Sequence, residues 1–200
     1  MFVGLTGLMG AGKSKVADLF MLFAGEGIEF CLHNTDDLAK KAINTQDGKD
    51  FIRKRFGEEY IVDGDVDFSS LGKLVFSDER HLRDLEAYSH PIVKDWVKKN
   101  YEPNKINIVE NAILFECGMN EWMDFNIYVT CHPCDRKQRL YDRGMSDSDI
   151  QKRQKFQVSI SPLSKIKKSR YHIDNTLGFF SLNRTIRNII KEIQNETKKV

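Results

Sequence analysis

A glycine-rich stretch near the amino terminus contains the first residues with an evident chemical use. Residues 7–14 read GLMGAGKS, which fits the pattern GxxxxGK followed by Ser or Thr. Glycines let the backbone curl so that several N–H groups face phosphate oxygens, and the start of a helix adds its positive dipole end. We therefore predict a phosphate-binding loop, called the P-loop below, made of Gly7, Gly10, Ala11, Gly12, Lys13, Ser14 and Lys15.

Two side chains of the P-loop suit the polyphosphate of a nucleotide. Lys13 is expected to reach the β- and γ-phosphates, and the Ser14 hydroxyl is expected to bind Mg²⁺. The loop alone does not specify a reaction, because ATPases, GTPases and small-molecule kinases share it. Switch GTPases also need an NKxD sequence that reads guanine, and the chain contains none.

Asp36 is a candidate general base. It follows the apolar run 28–32, the second predicted strand, at a point that faces the terminal phosphate in a doubly wound sheet. A carboxylate there can orient an acceptor hydroxyl and take its proton. Alternatively, Asp36 and Asp37 only cap and charge the helix that follows. The residue types alone leave both interpretations open.

Glu110 is a candidate for a metal site. It stands at the end of the third predicted strand, 105–109, where a carboxylate commonly orders the water shell of Mg²⁺. Glu116 is a second acidic candidate. The alternative is a surface carboxylate at a strand end, and the predicted metal ligands are Ser14 and Glu110.

Basic residues after the fourth predicted strand could form a lid over phosphates. Arg136, Arg139 and Arg143 share one face at helical spacing, so that their guanidinium groups could clamp a phosphate. A solvated charged face is the alternative. A later basic cluster is interpreted mostly as solvated surface: Lys165, Lys167, Lys168 and Arg170.

Short apolar runs that alternate with helical patterns must position these residues. The predicted strands are 2–6, 28–32, 105–109, 125–130 and 171–173, and helices include 13–24, 36–43 and 182–193. This alternation predicts an α/β fold with a parallel sheet and helices on both faces. We predict one domain over 1–200, with a core of 1–45 and 104–200, a helical substrate-binding insertion at about 46–103 and a lid at about 133–160.

Composition narrows the possible partners and the compartment. With 200 residues, 40% of them hydrophobic, the chain can bury a sizeable core. A net charge of +2 does not favour a nucleic-acid binder. No apolar run approaches the ~20 residues of a membrane helix, and no export signal precedes the first strand. We expect a cytoplasmic protein, monomeric or weakly homo-oligomeric.

The four cysteines do not suggest a disulfide framework, and reduced thiols are expected. Cys131 and Cys134 form a CxxC pair, but no second pair stands at the spacing of a zinc site. We interpret them as two thiols near a strand end.

Several motifs, taken in order, resemble the dephospho-coenzyme A kinase family over nearly the whole chain. Their order and spacing are not shared by adenylate, shikimate and gluconate kinases. The matching positions are GLTG at 4–7, GKS at 12–14, Asp36, HP at 90–91, LFE at 114–116, Arg139, Arg143, Gln157 and IDN at 173–175.

The resemblance implies that ATP, with Mg²⁺, phosphorylates the ribose 3′-hydroxyl of dephospho-coenzyme A. It implies catalytic roles for Asp36, Lys13, Arg139 and Arg143, and a place near the acceptor for His90. A lone histidine is otherwise more often structural. The alternatives are another P-loop nucleoside or small-molecule kinase, or an ATP-binding module without kinase activity.

The chain departs from the family pattern at four positions. Each departure replaces a residue type that is common in the family, and none removes the P-loop, the candidate base or the lid arginines. The departures are Asn34 for Asp, Ala112 for Pro, Phe68 where Arg is frequent, and Arg136 where Gln is common.

Replacing Lys13 by alanine tests the P-loop prediction. We expect turnover to fall on the order of 10²-fold or more, because the terminal phosphate loses a major electrostatic stabiliser. Steady-state measurement of ADP release checks this. Turnover like that of the wild type in Lys13→Ala would refute the P-loop prediction.

Overall fold

The computed structural model describes residues 1–25 and 27–197. The strands are β1 (Phe2–Gly7), β2 (Phe30–Asn34), β3 (Ile61–Val62), β4 (Asp65–Val66), β5 (Ile106–Glu110), β6 (Phe125–Thr130) and β7 (Tyr171–Asp174). The helices are α1 (Lys13–Leu22), α2 (Thr35–Ile43), α3 (Gln46–Arg55), α4 (Phe68–Val75), α5 (Glu79–Lys99), α6 (Pro133–Tyr141), α7 (Asp147–Gln157), α8 (Pro162–Lys167) and α9 (Gly178–Thr197). Among the described residues, no helix is both long enough and apolar enough to cross a membrane.

The chain divides into two compact units. One contains Met1–His33 and the described part of Tyr101–Val200, and the other is Asn34–Asn100. The predicted insertion covers about 46–103, whereas the second unit already begins at the start of α2. The α2 helix is grouped with 46–100 because it packs against α3 and α5.

Five strands of the first unit form one sheet in the order β2-β5-β1-β6-β7. The central strand β1 pairs in parallel with β5 and β6, and β6 pairs in parallel with β7. This confirms the predicted α/β class with a parallel sheet flanked by helices. Because all of these pairs are parallel, the carboxyl ends of β1, β5, β6 and β7 lie at one edge.

The core of the first unit lies between the sheet and the helices α1 and α9. Val16 and Phe20 of α1 join Ile186 and Ile190 of α9 in a buried cluster with strand residues such as Leu5. The helical spacing of these apolar residues explains why the sequence pattern finds both helices. The α9 helix begins at Gly178, four positions before the predicted start at 182.

The strand β2 begins two residues later than predicted. The backbone N–H of Gly25 donates to the carbonyl oxygen of Ile28 over 2.9 Å, which closes a turn at this point. Gly27 has φ +87°, in the left-handed region that glycine adopts at no steric cost. Residues 28 and 29, which the apolar pattern assigns to the strand, therefore precede it in the structure.

A buried amide stabilises the amino-terminal part of β5. The side chain of Asn107 is fully buried, and its Nδ2 donates to the carbonyl oxygens of Glu102 (2.9 Å) and Lys105 (3.0 Å). Its Oδ1 accepts from the backbone N–H of Glu102 over 3.0 Å and lies 3.1 Å from Nε2 of His33. Asn107 therefore satisfies the backbone of the preceding loop, which explains a polar residue inside an apolar strand.

The second unit is mostly helical, as predicted, but it also contains a small hairpin. Strands β3 and β4 pair in antiparallel register around a turn at Asp63 and Gly64. Asp63 (φ 52°) and Gly64 (φ 84°) are both left-handed, as the two central residues of a type I′ turn require. Each strand has only two residues, which is too short for an alternating pattern to reveal.

The helix α5 continues through Pro91. Proline removes one helical hydrogen bond and clashes with the preceding turn. The helix nevertheless buries Leu82, Val93 and Val97 on both sides of the proline, and this packing outweighs the local preference.

Replacing Asn107 by leucine tests the buried amide. We expect the free energy of unfolding to fall by about 2–4 kcal/mol, because several buried backbone groups lose their partner. Urea denaturation checks this, with the exposed Asn188→Leu as control, for which little change is expected. An equal effect in both variants would contradict this account of Asn107.

Candidate active site

The P-loop connects the end of β1 to the start of α1 at the carboxyl edge of the sheet. A Cβ on Gly7 (φ +151°) would lie 2.3 Å from the carbonyl oxygen of Val129, and a Cβ on Gly12 (φ +98°) would lie 2.2 Å from Nδ2 of Asn175. Only glycine fits at these two points. The N-cap residue of α1 is Gly12, which has no side chain to cap the helix, so that the first N–H groups of α1 suit an anion.

Two contacts order the functional side chains of the loop. The Lys13 Nζ donates to the carbonyl oxygen of Gly7 over 3.1 Å. The Ser14 hydroxyl donates to Oε1 of the buried Glu110 over 2.8 Å. The structure therefore brings together the two residues that the sequence predicts as metal ligands.

A cleft of about 190 Å³ opens beside the P-loop. Its volume is below the ~300–1,000 Å³ of pockets that enclose a whole drug-sized ligand, so the enclosed part suits phosphate groups better than a complete nucleotide. The cleft is lined by Gly10, Gly12, Lys13, Ser14, Lys15, Arg139, Arg143 and Asn175.

Residues from α6 and from the segment after β7 donate hydrogen bonds to carbonyl oxygens of the loop. The Arg139 Nη1 donates to the carbonyl oxygens of Gly10 (3.2 Å) and Ala11 (3.4 Å). Asn175 Nδ2 also donates to the carbonyl oxygen of Ala11 over 3.0 Å. The Lys15 Nζ lies 5.5 Å from the centre of the Phe179 ring.

The three arginines of the predicted clamp do not act alike. Arg139 and the exposed Arg143 line the cleft, whereas Arg136 Nη2 donates to Oε1 of Gln154 over 2.9 Å. Arg136 does not line the cleft. The shared helical face applies only to Arg136 and Arg139, because α6 ends at Tyr141 and Arg143 lies beyond it. Arg136 is held by the hydrogen bond to Gln154 of α7.

Two expectations about charged residues are corrected. Lys165 is not solvated surface: it is 1% exposed, and its Nζ pairs with Oε1 of Glu116 and donates to the carbonyl oxygen of Gln157 over 2.6 Å. Glu116 therefore neutralises a buried lysine, which argues against it as the alternative metal ligand. The Gln157 side chain accepts from the backbone N–H of Met9, in the P-loop, over 2.9 Å.

Sequence reasoning missed the contacts of Gln157 and Asn175 with the loop, and it missed the burial of Lys165. The family resemblance marks the first two residues without giving their roles. For Lys165 no local signal exists, because a lysine in a basic run normally lies at the surface.

The CxxC pair is not bridged. All four cysteines are free, and burial raises the pKa of the Cys131 thiol above its ordinary value. This agrees with two thiols near a strand end. Among the described residues, no cluster of three or more His, Cys, Asp or Glu side chains could hold a metal ion.

Asp36 and His90 lie in the second unit. Asp36 is exposed in the first turn of α2, and Asn34 caps that helix by accepting from the N–H groups of Asp36 (3.0 Å) and Asp37 (3.1 Å). The sequence allowed Asp36 and Asp37 to cap α2, but the residue that caps this helix is Asn34. This departure from the family pattern therefore fixes the backbone that carries the candidate base.

Comparison with known proteins identifies the family. The family profile described as dephospho-CoA kinase matches residues 1–179. The chain is 30% identical over 199 residues to the dephospho-CoA kinase of Corynebacterium glutamicum, covering 96% of this chain and 98% of that protein. The chain belongs to the dephospho-CoA kinase family.

Solved structures share the fold of this chain. The structure of TT1252 from Thermus thermophilus is 27% identical and has a TM-score of 0.76, covering 96% of this chain and 97% of that one. The dephospho-CoA kinase of Campylobacter jejuni, 20% identical with a TM-score of 0.69, shares the fold over 98% of both chains.

In this member of the dephospho-CoA kinase family, His90 is half-buried in α5. Burial lowers its pKa below the ordinary value of 6.5, and the nearby cations Lys94 and Arg83 lower it further. The uncharged form of the imidazole is therefore favoured at neutral pH. It can offer hydrogen bonds to a ligand, but not a positive charge.

Replacing His90 by glutamine tests this protonation state. Because the pKa of His90 is lowered in the folded protein, the unfolded chain binds the proton more readily as the pH falls through about 6.5. Protonation of His90 therefore lowers the free energy of unfolding at acidic pH. We expect a smaller loss in His90→Gln than in the wild type between about pH 7.5 and about pH 5.5. Urea denaturation at both pH values checks this.

The variant must be compared with the wild type because Glu86, on the same helix, changes the free energy of unfolding with pH in the opposite direction. Burial raises the pKa of that carboxyl, so it favours the folded state as the pH falls. An identical pH dependence in His90→Gln and wild type would contradict the inferred state of His90.

Proposed function

We propose that the protein transfers the terminal phosphate of ATP to the ribose 3′-hydroxyl of dephospho-coenzyme A, giving coenzyme A and ADP. The observation that carries the proposal is the P-loop cleft, in which Lys13, Arg139 and Arg143 surround one small polar space. Membership of the dephospho-CoA kinase family supports the choice of acceptor.

Electrostatic stabilisation is the main contribution that we assign to the first unit. Charge in phosphoryl transfer spreads over the oxygens of the moving group, and preorganised donors that face this charge lower the barrier. Lys13 and the N–H groups at the start of α1 would hold the phosphates. Arg139 and Arg143, from the predicted lid, would exclude water and so limit ATP hydrolysis.

The Ser14–Glu110 pair fits a magnesium ion. A hydroxyl and a carboxylate are hard oxygen ligands of the kind that Mg²⁺ prefers, and their oxygens are 2.8 Å apart in the structure. Ser14 would bind the ion directly and Glu110 would order its water molecules. When bound, the ion would neutralise charge on the phosphate oxygens.

Acceptor binding and proton removal are assigned to the second unit. Asp36 carries an exposed carboxylate on a turn fixed by Asn34. It would orient the acceptor hydroxyl and take its proton, while the phosphate moves directly and in line, without a phosphoenzyme. We assign His90 to acceptor binding through hydrogen bonds of its neutral ring.

A coupled ADP-release assay tests the proposal, with ATP, Mg²⁺ and dephospho-coenzyme A, and with adenosine, AMP and shikimate as rival acceptors. We expect ADP only with dephospho-coenzyme A, together with a product that is one phosphate heavier by mass spectrometry. Release of ADP with a rival acceptor, or without acceptor dependence despite ATP binding, would overturn the substrate assignment.

The role of Asp36 is tested by Asp36→Asn in the same assay. We expect phosphoryl transfer to fall by about 10²–10⁴-fold, the usual contribution of a general base, while ATP binding persists. Asp37→Asn is the matched control, because Asp37 is exposed in the same turn and should leave transfer nearly unchanged. Equal losses in the two variants would refute the assignment of the base.

A further inference from the structure

Four residues form a buried chain of polar contacts that ends at the P-loop. Glu116 pairs with Lys165, Lys165 donates to the carbonyl oxygen of Gln157 over 2.6 Å, and Gln157 Oε1 accepts from the N–H of Met9 over 2.9 Å. We call these four residues the support chain. It joins the segment after β5, the helices α7 and α8, and the loop that faces the phosphates.

The charged members of the support chain are almost completely buried. The side chain of Lys165 is 2% exposed, and that of Glu116 is 10% exposed. A buried ammonium is tolerated only when it is paired and hydrogen-bonded, and Lys165 has both kinds of partner. Since stability alone does not require a buried ion pair, its link through Gln157 to the P-loop suggests a functional explanation.

Lys165 fixes the end of α7. Gln157 is the last residue of that helix, and the carbonyl groups of a last turn have no partner within the helix. The ammonium of Lys165 supplies the partner for Gln157. The backbone of Gln157 is therefore held from one side while its side chain reaches the loop on the other.

The contact with Met9 determines the orientation of one peptide group in the loop. A P-loop holds phosphates with N–H groups that point inward, so an N–H that bonds outward fixes how the neighbouring peptides face. The carbonyl oxygen of Leu8 also accepts from the N–H of Ala11 over 3.0 Å, which closes a turn across the same part of the loop. Gln157 thus holds the loop beside the residues that surround the cleft.

We propose that Gln157, held in place by Lys165, is a positioning residue that keeps the P-loop in its phosphate-binding shape. The proposal rests on the proposed use of this loop for ATP. It makes the α7–α8 segment a part of the nucleotide site, although Gln157 and Lys165 do not line the cleft.

The first test is Gln157→Met, which keeps the length of the side chain and removes the acceptor. We expect the dissociation constant for ATP with Mg²⁺, measured by calorimetry without acceptor, to rise by about fivefold to tenfold, the equivalent of one net hydrogen bond. Gln151→Met is the matched control, because Gln151 is an exposed residue of the same helix. It should bind ATP like the wild type.

The second test asks whether Lys165 acts through Gln157. Lys165→Met combined with Glu116→Gln removes the ion pair without leaving a lone buried charge. We expect this double variant to weaken ATP binding by a similar factor. Adding Gln157→Met to it should cause no further loss, because residues that act in one chain are not additive.

A purely structural role predicts a different result. In that case Gln157→Met lowers the melting temperature but leaves the dissociation constant for ATP unchanged at a temperature where the protein is folded, which would overturn the proposal. Full additivity of the two sets of substitutions would overturn the link through Lys165. Wild-type protein that binds ATP but does not phosphorylate dephospho-coenzyme A would refute the proposed function and leave this inference standing.

Discussion

The parallel pairing of β1 between β5 and β6 is the constraint on which the rest of the structure depends. It brings the ends of these strands to one edge, and the chain leaves β1 so close to the carbonyl oxygen of Val129 that only Gly7 fits. The same pairing brings Ser14 and Glu110, 96 positions apart in sequence, within 2.8 Å. The parallel arrangement thus brings the segments that follow β1, β6 and β7 to one cleft.

The cleft carries an excess of positive charge. Its cations are Lys13, Lys15, Arg139 and Arg143, and among the described residues that line it there is no carboxylate. Like charges that surround a small space repel one another, and an anionic ligand relieves this repulsion. The arrangement therefore favours phosphate binding at the expense of the stability of the empty site. Functional sites commonly trade stability for activity in this way.

Buried polar groups at two places along β5 and beyond it specify the geometry of the first unit. Asn107 satisfies the backbone of the loop that leads into the strand, while Glu116 pairs with Lys165 a few residues past its end. Apolar residues of similar volume would pack at either place, but they would not fix hydrogen-bond partners. The second unit uses the same principle at its surface, where Asn34 fixes the first turn of α2 and with it the position of Asp36.

Local patterns were sufficient to predict the P-loop, the α/β class, and the positions of β1, β6, α1 and α2 to within about two residues, because glycine spacing and apolar periodicity are properties of neighbouring residues. The family was predicted from the resemblance of an ordered series of motifs along the chain. They could not predict the two-residue hairpin, the continuation of α5 through Pro91, or the burial of Lys165, since each depends on what packs against the segment. Likewise, the sequence marked three arginines on one face, but the position of Gln154 decided that Arg136 does not line the cleft. The sequence by itself determined which chemical groups are present; the tertiary structure decided which of them share one space, because burial and hydrogen-bond partners are set by residues distant along the chain.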